Sequence, residues 1–356
     1  MRAMIRALLT LCFACILAGI AGPGFAAEKD ELPSGVELPV RVRVGLRVID
    51  ITEIKEVGGR ARLFVEVTQR WNDPRRRFDP LETGAPRIDR VGDEAQQFVG
   101  SIWTPGLVIS NQLSEPQSRS QAVSAYADGD VVLVDRYEAD FRVAMDMQAF
   151  PFDRQQIALS FSLPRYPKQD AVLVTTETDR LFSRVENRLT VIDWRPLALS
   201  FAYDESTGWN ARSYSQLNAT VGLERMSERY LLRLFIPIIS TLAVSIFVLW
   251  LPGASPKDSG GLVFSALLAL AAISFTFEAS FPGSISLNTP IAKIISLGYL
   301  YLVLVVLIDG VVAGSCKDPA SRFHVLACEV RGHTKWALPA IMTIVCAAAV
   351  IRAMPV

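Results

Sequence analysis

The chain has 356 residues, 51% of them hydrophobic and 20% charged, and 36 Lys and Arg balance 36 Asp and Glu for a formal net charge of +0. The charged share is below the roughly 25% of soluble domains, and the mean hydropathy is +0.30. These values exclude a basic nucleic-acid binder and a disordered chain, and they fit a soluble part averaged with a membrane part.

The chain opens on a targeting pattern. Arg2 and Arg6 precede an apolar run over 7–20, and Gly24-Phe25-Ala26 supplies small residues around a cleavage point. This predicts a secretory signal peptide over 1–26. Its removal takes Cys12 and Cys15 with it and leaves Cys316, Cys328 and Cys346. No cysteine lies between Glu28 and Trp250, so the exported part carries no disulfide framework.

Residues 27–226 alternate. Val40-Arg41-Val42-Arg43-Val44, Phe64-Val65-Glu66-Val67 and Phe141-Arg142-Val143 have period two, as half-buried strands require. Breakers such as Val57-Gly58-Gly59, Asn72-Asp73-Pro74 and Asp128-Gly129-Asp130 separate the runs. Roughly nine or ten such strands predict an antiparallel β-sandwich. A short helix is expected near Asp93–Phe98. The segment has no histidine and no cysteine, so it can build neither a histidine-dependent catalytic triad nor a Cys/His metal site.

From residue 227 the chain is mostly apolar. A bilayer core needs about 20 apolar residues in a helix. Four runs qualify, predicting helices over about 230–251, 259–281, 289–314 and 335–355. The second is the weakest, because it holds Gly260, Gly261, Ser265, Ser274, Thr276 and Glu278. Lys317, Arg322, Arg331 and Lys335 gather around a short loop expected over 315–334, which makes that side cytoplasmic. Four spans then put the β-domain outside, as the signal peptide also predicts. His324, His333 and Cys328 fall in that loop at a spacing that matches no zinc pattern, so they read as solvated residues.

The weak second span has an organised face. Gly261, Ser265, Leu268, Ala272, Phe275 and Ala279 recur at spacings of four and three, which places them on one side of a helix. Small and hydroxyl groups occupy the cytoplasmic half, and apolar groups the outer half. Around a pore, Leu268 and Phe275 would form apolar constrictions that gate by dewetting. Alternatively, small residues on a membrane helix only permit close packing.

Motifs run in order through the exported part. Trp71-Asn72-Asp73-Pro74-Arg75 closes a strand, Trp103-Thr104-Pro105 follows with Asn111 after it, and Phe150-Pro151-Phe152-Asp153 comes next. Arg225 precedes the first span and Pro237 sits inside it. In this order, before four spans, they resemble the pentameric ligand-gated ion channels, the Cys-loop receptor superfamily, from about Val40 to the C-terminus. Each has a plainer reading as well: Trp71 and Trp103 as packing, Asp73 and Arg75 as a solvated turn. One departure is clear. Animal members bracket the FPFD loop with a disulfide, and the matching positions are Val143 and Ile157. With the signal peptide and the short loop, this is similar to a prokaryotic member.

The resemblance implies an extracellular β-sandwich, four helices and a homopentamer around a central pore in the inner membrane. The implied partners are four further copies, the bilayer, permeating inorganic ions and a small-molecule or proton agonist. It implies no enzyme activity, cofactor, metal or nucleic acid. Asp258 and Glu278 would ring the pore mouths and favour cations, while Lys257 opposes them. Glu56, Asp153 and Arg225 would couple the β-domain to the helices, with Pro282 beneath. The agonist would bind between subunits near a hairpin that carries Tyr203, Trp209 and Tyr214, with Tyr166 nearby. Ser110 and Pro164 stand where animal receptors often place rings, so a choline cage is disfavoured. The competing architecture is a membrane-anchored sensor or transporter accessory subunit without a pore.

Overall fold

The structure is a computed structural model that describes residues 31–56, 58–250, 256–281, 289–317 and 322–353. The expected signal peptide lies outside the described residues. Eleven strands are described, β1 (Val40–Lys55), β2 (Arg60–Asn72), β3 (Arg87–Val91), β4 (Val108–Ile109), β5 (Gln117–Tyr126), β6 (Asp130–Arg142), β7 (Arg154–Ser162), β8 (Ala171–Val174), β9 (Arg184–Val185), β10 (Trp194–Thr207) and β11 (Ser213–Arg225). One sheet runs β3-β5-β6-β2-β1-β8, with β9 also on β1, and the other runs β10-β11-β7-β4. Helix α1 (Asp93–Ser101) stands where a helix was expected, and α2 (Glu177–Phe182) follows β8.

Alternation builds the sandwich. Val40, Val42, Val44, Leu46 and Val48 of β1 point inward, as do Leu63, Val65, Val67 and Trp71 of β2. They meet Ile157, Leu159 and Phe161 of β7 and Leu217, Val221 and Leu223 of β11 in one core. Each such side chain contributes about 1.5–3 kcal/mol when fully buried. Trp71 and Trp103 lie in this core as an edge-to-face pair 6.0 Å apart. Asp73 departs from the solvated-turn reading. It is fully buried, caps the backbone N–H of Arg75 and pairs with its guanidinium at 2.8 Å, because the turn folds under the end of β2. Val143 and Ile157, at the positions of the missing disulfide, are both buried apolar residues.

Four long helices follow. They are α3 (Ile236–Trp250), α4 (Pro256–Ser280), α5 (Pro290–Lys317) and α6 (His324–Ile351), and they carry four runs long and apolar enough to cross a membrane, the first taking in the turns before α3 over Glu228–Trp250. A π-helical turn over Leu231–Phe235 leads into α3, beside Pro237, whose missing N–H disrupts the regular ladder there. The loop expected over 315–334 is shorter than that. Helix α5 continues to Lys317 and α6 starts at His324, so the backbone stays helical past the apolar run on both sides of Pro319. His324, His333 and Cys328 therefore sit on α6, where Cys328 is disulfide-bonded, while Cys346 is a free thiol. The second span is also not the least apolar, with a best-window mean hydropathy of 2.0 against 1.7 for the fourth. Trp336 ties α6 to the end of α3 through an edge contact with Trp250 at 4.2 Å.

Candidate functional site

The β-domain meets the helices at Arg225, the last residue of β11. Two turns from distant parts of the chain converge on it. One is the β1–β2 turn, fixed by Gly59 at φ +55°. Its carbonyl accepts from the Val143 N–H at 2.8 Å, and a Cβ there would lie 2.8 Å from the Val143 carbonyl oxygen, so only glycine fits. That close approach brings Glu56 beside the loop between β6 and β7. The other turn is Phe150-Pro151-Phe152-Asp153 itself.

The Arg225 guanidinium donates from Nε to Asp153 Oδ1 at 2.7 Å and from Nη2 to Oδ2 at 3.2 Å. Nη1 and Nη2 reach Glu56 Oε1 at 3.2 and 3.3 Å, and Nη1 also donates to the Tyr230 hydroxyl at 3.3 Å. The Arg225 and Asp153 side chains are 1% and 2% exposed, whereas Glu56 is 23% exposed. Gln155 Nε2 donates to Asp153 Oδ2 at 2.6 Å. Burial opposes the Arg225 charge, but the hydrogen bond and charge of Asp153 outweigh it and hold the guanidinium above its ordinary value. Rings enclose the cation as well: its Cζ lies 4.1 Å from the Trp194 centroid and 4.8 Å from that of Phe150. Such a bidentate pair is a rigid joint.

Phe150 forms the second half of the junction. It belongs to the β-domain by sequence, yet it is wholly buried in the core of the helices. Its ring lies 5.3 Å from Tyr230, 5.7 Å from Phe277 and 5.3 Å from Phe281. These contacts join the loop to both the entry of the first span and the end of α4. The aromatic cluster escaped the sequence reading, which weighed FPFD for its carboxylate alone. The signal was present in the i, i+4 pair Phe277 and Phe281 and in Tyr230 at the mouth of a span.

On α4, Val263, Ala266, Leu270 and Phe277 are buried against the rest of the chain. Gly261, Ser265, Leu268, Ala272, Phe275 and Ala279 are all exposed. They centre roughly 170° away from the buried face at 100° per residue. Leu262 and Phe264 are exposed on the flanks, so α4 packs along a single face. Ser265 and Thr276 hydroxyls donate to the carbonyls of Gly261 and Ala272 at 2.9 and 2.8 Å. Glu278 is exposed near the C-terminal end of α4. Pro282 and the side chains of Lys257 and Asp258 lie outside the described residues.

Known proteins share this organisation. The neurotransmitter-gated ion-channel ligand binding domain matches residues 28–227. The chain belongs to the neurotransmitter-gated ion-channel family. Relatives include the neuronal acetylcholine receptor subunit non-alpha-2 of Carassius auratus, 23% identical over 85% of this chain and 64% of the relative. The neuronal acetylcholine receptor subunit alpha-6 of Gallus gallus is 25% identical over 71% of this chain and 50% of the relative. The human beta-3 subunit is 23% identical over 81% and 61%. The chain thus spans about half to two thirds of the length of these relatives.

The four aromatic candidates for a family ligand pocket are dispersed within one chain. Trp209 is 98% exposed at the β10–β11 turn. Tyr214 is buried beneath that turn and accepts from Asn210 Nδ2 at 2.9 Å. Tyr203 is exposed, but its hydroxyl engages the backbone N–H and carbonyl of Thr175 at 3.0 and 3.2 Å. Tyr166 packs 5.6 Å from Trp103 and accepts its indole N–H at 2.9 Å. The register explains the scatter, because β10–β11 pairs Tyr203 with Leu217 and Tyr214 with Ser206. Among the described residues no ring contact joins any two of the four.

Proposed function

We propose that the chain is one subunit of a homopentameric, cation-selective, ligand-gated channel of the inner membrane, with its β-domain outside. One observation carries the reading: α4 hides its bulky face inside the chain and leaves the face of Gly261, Ser265, Leu268, Ala272, Phe275 and Ala279 open. Five such faces would enclose a conduit. Its inner half offers small groups and a hydroxyl to a partly hydrated ion, and its outer half is closed by Leu268 and Phe275. Asp258 and Glu278 are the acidic rings, and Lys257 is the charge they must outweigh.

Gating, in this reading, starts in the β-domain, where a small ligand or protons act. A proton agonist would use carboxylates, since the domain has no histidine. Tyr166, Tyr203, Trp209 and Tyr214 are the candidate pocket aromatics, recruited across the subunit boundary. Motion of β11 reaches the pore through Arg225, Asp153, Glu56 and the Phe150 wedge, with Pro282 in the linker beyond. The test is electrophysiology of purified protein in planar bilayers under a salt gradient, with pH and small amines screened. A reversal potential near the cation equilibrium potential is expected. A chloride-like value would overturn the selectivity, and silence under every condition would favour the non-conducting sensor.

A further inference from the structure

One disulfide stands where the proposed orientation puts a reducing solvent. Cys328, on the second turn of α6, is disulfide-bonded, while Cys346 is a free thiol. The chain has five cysteines, and Cys12 and Cys15 fall in the expected signal peptide. The sequence therefore leaves Cys316 as the partner within the mature chain. The two positions bracket the α5–α6 turn, Cys316 next to the end of α5 at Lys317 and Cys328 one turn after α6 begins at His324.

Helix length puts Cys328 outside the hydrocarbon. Helix α6 has 28 residues, so it runs about 42 Å, against a bilayer core of about 30 Å. Trp336, 4.2 Å from Trp250, and Lys335, 5.5 Å from the Trp250 ring, mark the interface. Cys328 lies about 12 Å beyond Trp336 along the helix, on the side away from the core. It is half-buried rather than enclosed. His324 precedes it by one turn and Arg331 follows by one, so the three share a face. The Nδ1 of His324 is buried and has no hydrogen-bond partner among the described residues.

We infer that Cys316 and Cys328 form a reversible thiol–disulfide site that exchanges with a small cytosolic thiol of the glutathione class. The inference rests on the proposed orientation, which puts the α5–α6 turn in the cytoplasm. Disulfides in that compartment are usually transient and redox-sensing rather than structural. In the reducing direction a glutathione thiolate attacks one sulfur of the bond and forms a mixed disulfide. The other cysteine leaves as a thiolate and takes up a proton. A second glutathione thiolate attacks the mixed disulfide, so the chain gains two thiols and one glutathione disulfide departs. In the oxidising direction glutathione disulfide accepts the electron pair, His324 takes the proton of the Cys328 thiol, and Arg331 is the counter-charge to its thiolate. The bond closes beside Ala327, which with Met342 is what α6 buries among the described residues. Reduction therefore frees the start of the most weakly held span.

The test uses the full-length protein in inverted and right-side-out membrane vesicles, equilibrated with either oxidised or reduced glutathione. A membrane-impermeant maleimide then marks the free thiols, read by intact mass. In inverted vesicles about two labels per chain are expected after reduced glutathione and none after oxidised glutathione. A peptide map of the oxidised sample should join the Cys316 and Cys328 peptides. Cys328→Ser cannot close the bond and should trap a single glutathione on Cys316, while Cys346→Ser should behave as the parent chain. Equal labelling in both redox states, or no trapped glutathione in Cys328→Ser, would overturn the site. Labelling from right-side-out vesicles alone would overturn the orientation and, with it, exchange with a cytosolic thiol.

Discussion

The β-domain and the helices handle their apolar surface in opposite ways. The sandwich closes on itself: inward residues of both sheets meet in one core, and its long apolar side chains find partners within the chain. The helices do not close. Helix α5 buries Ile291, Ile294, Ile295, Leu302 and Val305, but α6 buries only Ala327 and Met342, and α4 keeps one face open along its length. In water such exposure would be a liability. In a bilayer, surroundings outside the chain cover it, and association there relies on packing and polar contacts rather than on expulsion of water. The contrast teaches where completeness ends. The β-domain completes its core within the chain, and the helices leave apolar faces open.

The junction between the two regions should give the largest effects. Arg225→Ala leaves the Asp153 carboxylate buried without its counter-charge, and breaking a buried pair costs about 3–5 kcal/mol. Gated current should vanish while the protein still reaches the membrane, as judged by surface labelling and bilayer recording. The double substitution Arg225→Met with Asp153→Leu removes both charges, so it should recover thermal stability without recovering current. Normal currents from Arg225→Ala would show that the network is structural only.

Phe150→Ala tests the apolar half of the same joint. Truncating a buried phenylalanine costs about 3–5 kcal/mol in a well-packed site. Here the loss falls between two regions rather than inside either. The expected outcome is a β-domain that melts near its usual temperature, followed by tryptophan fluorescence, with a strongly right-shifted agonist or proton response. A cooperative collapse of the β-domain in this variant would mean the two regions fold as one unit.

Different parts of this architecture were legible to different degrees. Period-two alternation in Val40–Val44 and Phe64–Val67 exposes which residues face inward, so the sandwich could be read directly. The charges of Glu56, Asp153 and Arg225 were readable through the order of motifs, because no local pattern links residues so far apart. The Phe150 cluster was not read, since its ring partners Tyr230, Phe277 and Phe281 come from two segments far from it in the chain, and the i, i+4 spacing of the last two does not name the loop they meet. The plainer alternative for Asp73, a solvated turn, fails because the fold covers this turn, which the sequence alone does not show. The start of α6 was missed because hydropathy measures how apolar a run is, not how far its backbone stays helical. The aromatic pocket candidates were chosen by residue type, and the strand register then dispersed them.

The two faces of α4 offer a smaller contrast. Leu270 is fully buried and Leu268 is 57% exposed, two residues apart on one helix. Leu270→Ala should destabilise the helical part by about 2 kcal/mol or more through lost packing. Leu268→Ala should change stability within about 0.5 kcal/mol, as surface substitutions do. It should instead widen the apolar constriction and raise the resting conductance. Measured side by side in detergent melts and bilayers, the pair separates packing from pore. Equal destabilisation by both would place Leu268 in a protein contact and remove it from the conduit.

The smallest effect concerns acid, and it should touch the β-domain alone. Asp179 is partly buried, which disfavours its charge, but the Arg43 pair and Thr176 hydrogen bonds outweigh that burial and hold its carboxyl below the ordinary 3.8. Asp140 is lowered through its hydrogen bond from Arg62. A carboxylate more acidic in the folded chain than in the unfolded one stabilises the fold above its ordinary pKa. That contribution fades as pH falls through the lowered native value, because the unfolded chain takes up the proton first. Stability should therefore be level from neutral pH to about pH 5 and decline below about pH 4. Asp179→Asn should lower stability at neutral pH and flatten part of the acid slope, as followed by β-domain fluorescence in denaturant. An unchanged slope in that variant would shift the acid sensitivity to other carboxylates, and equal acid loss in the helices would break the division between the two regions.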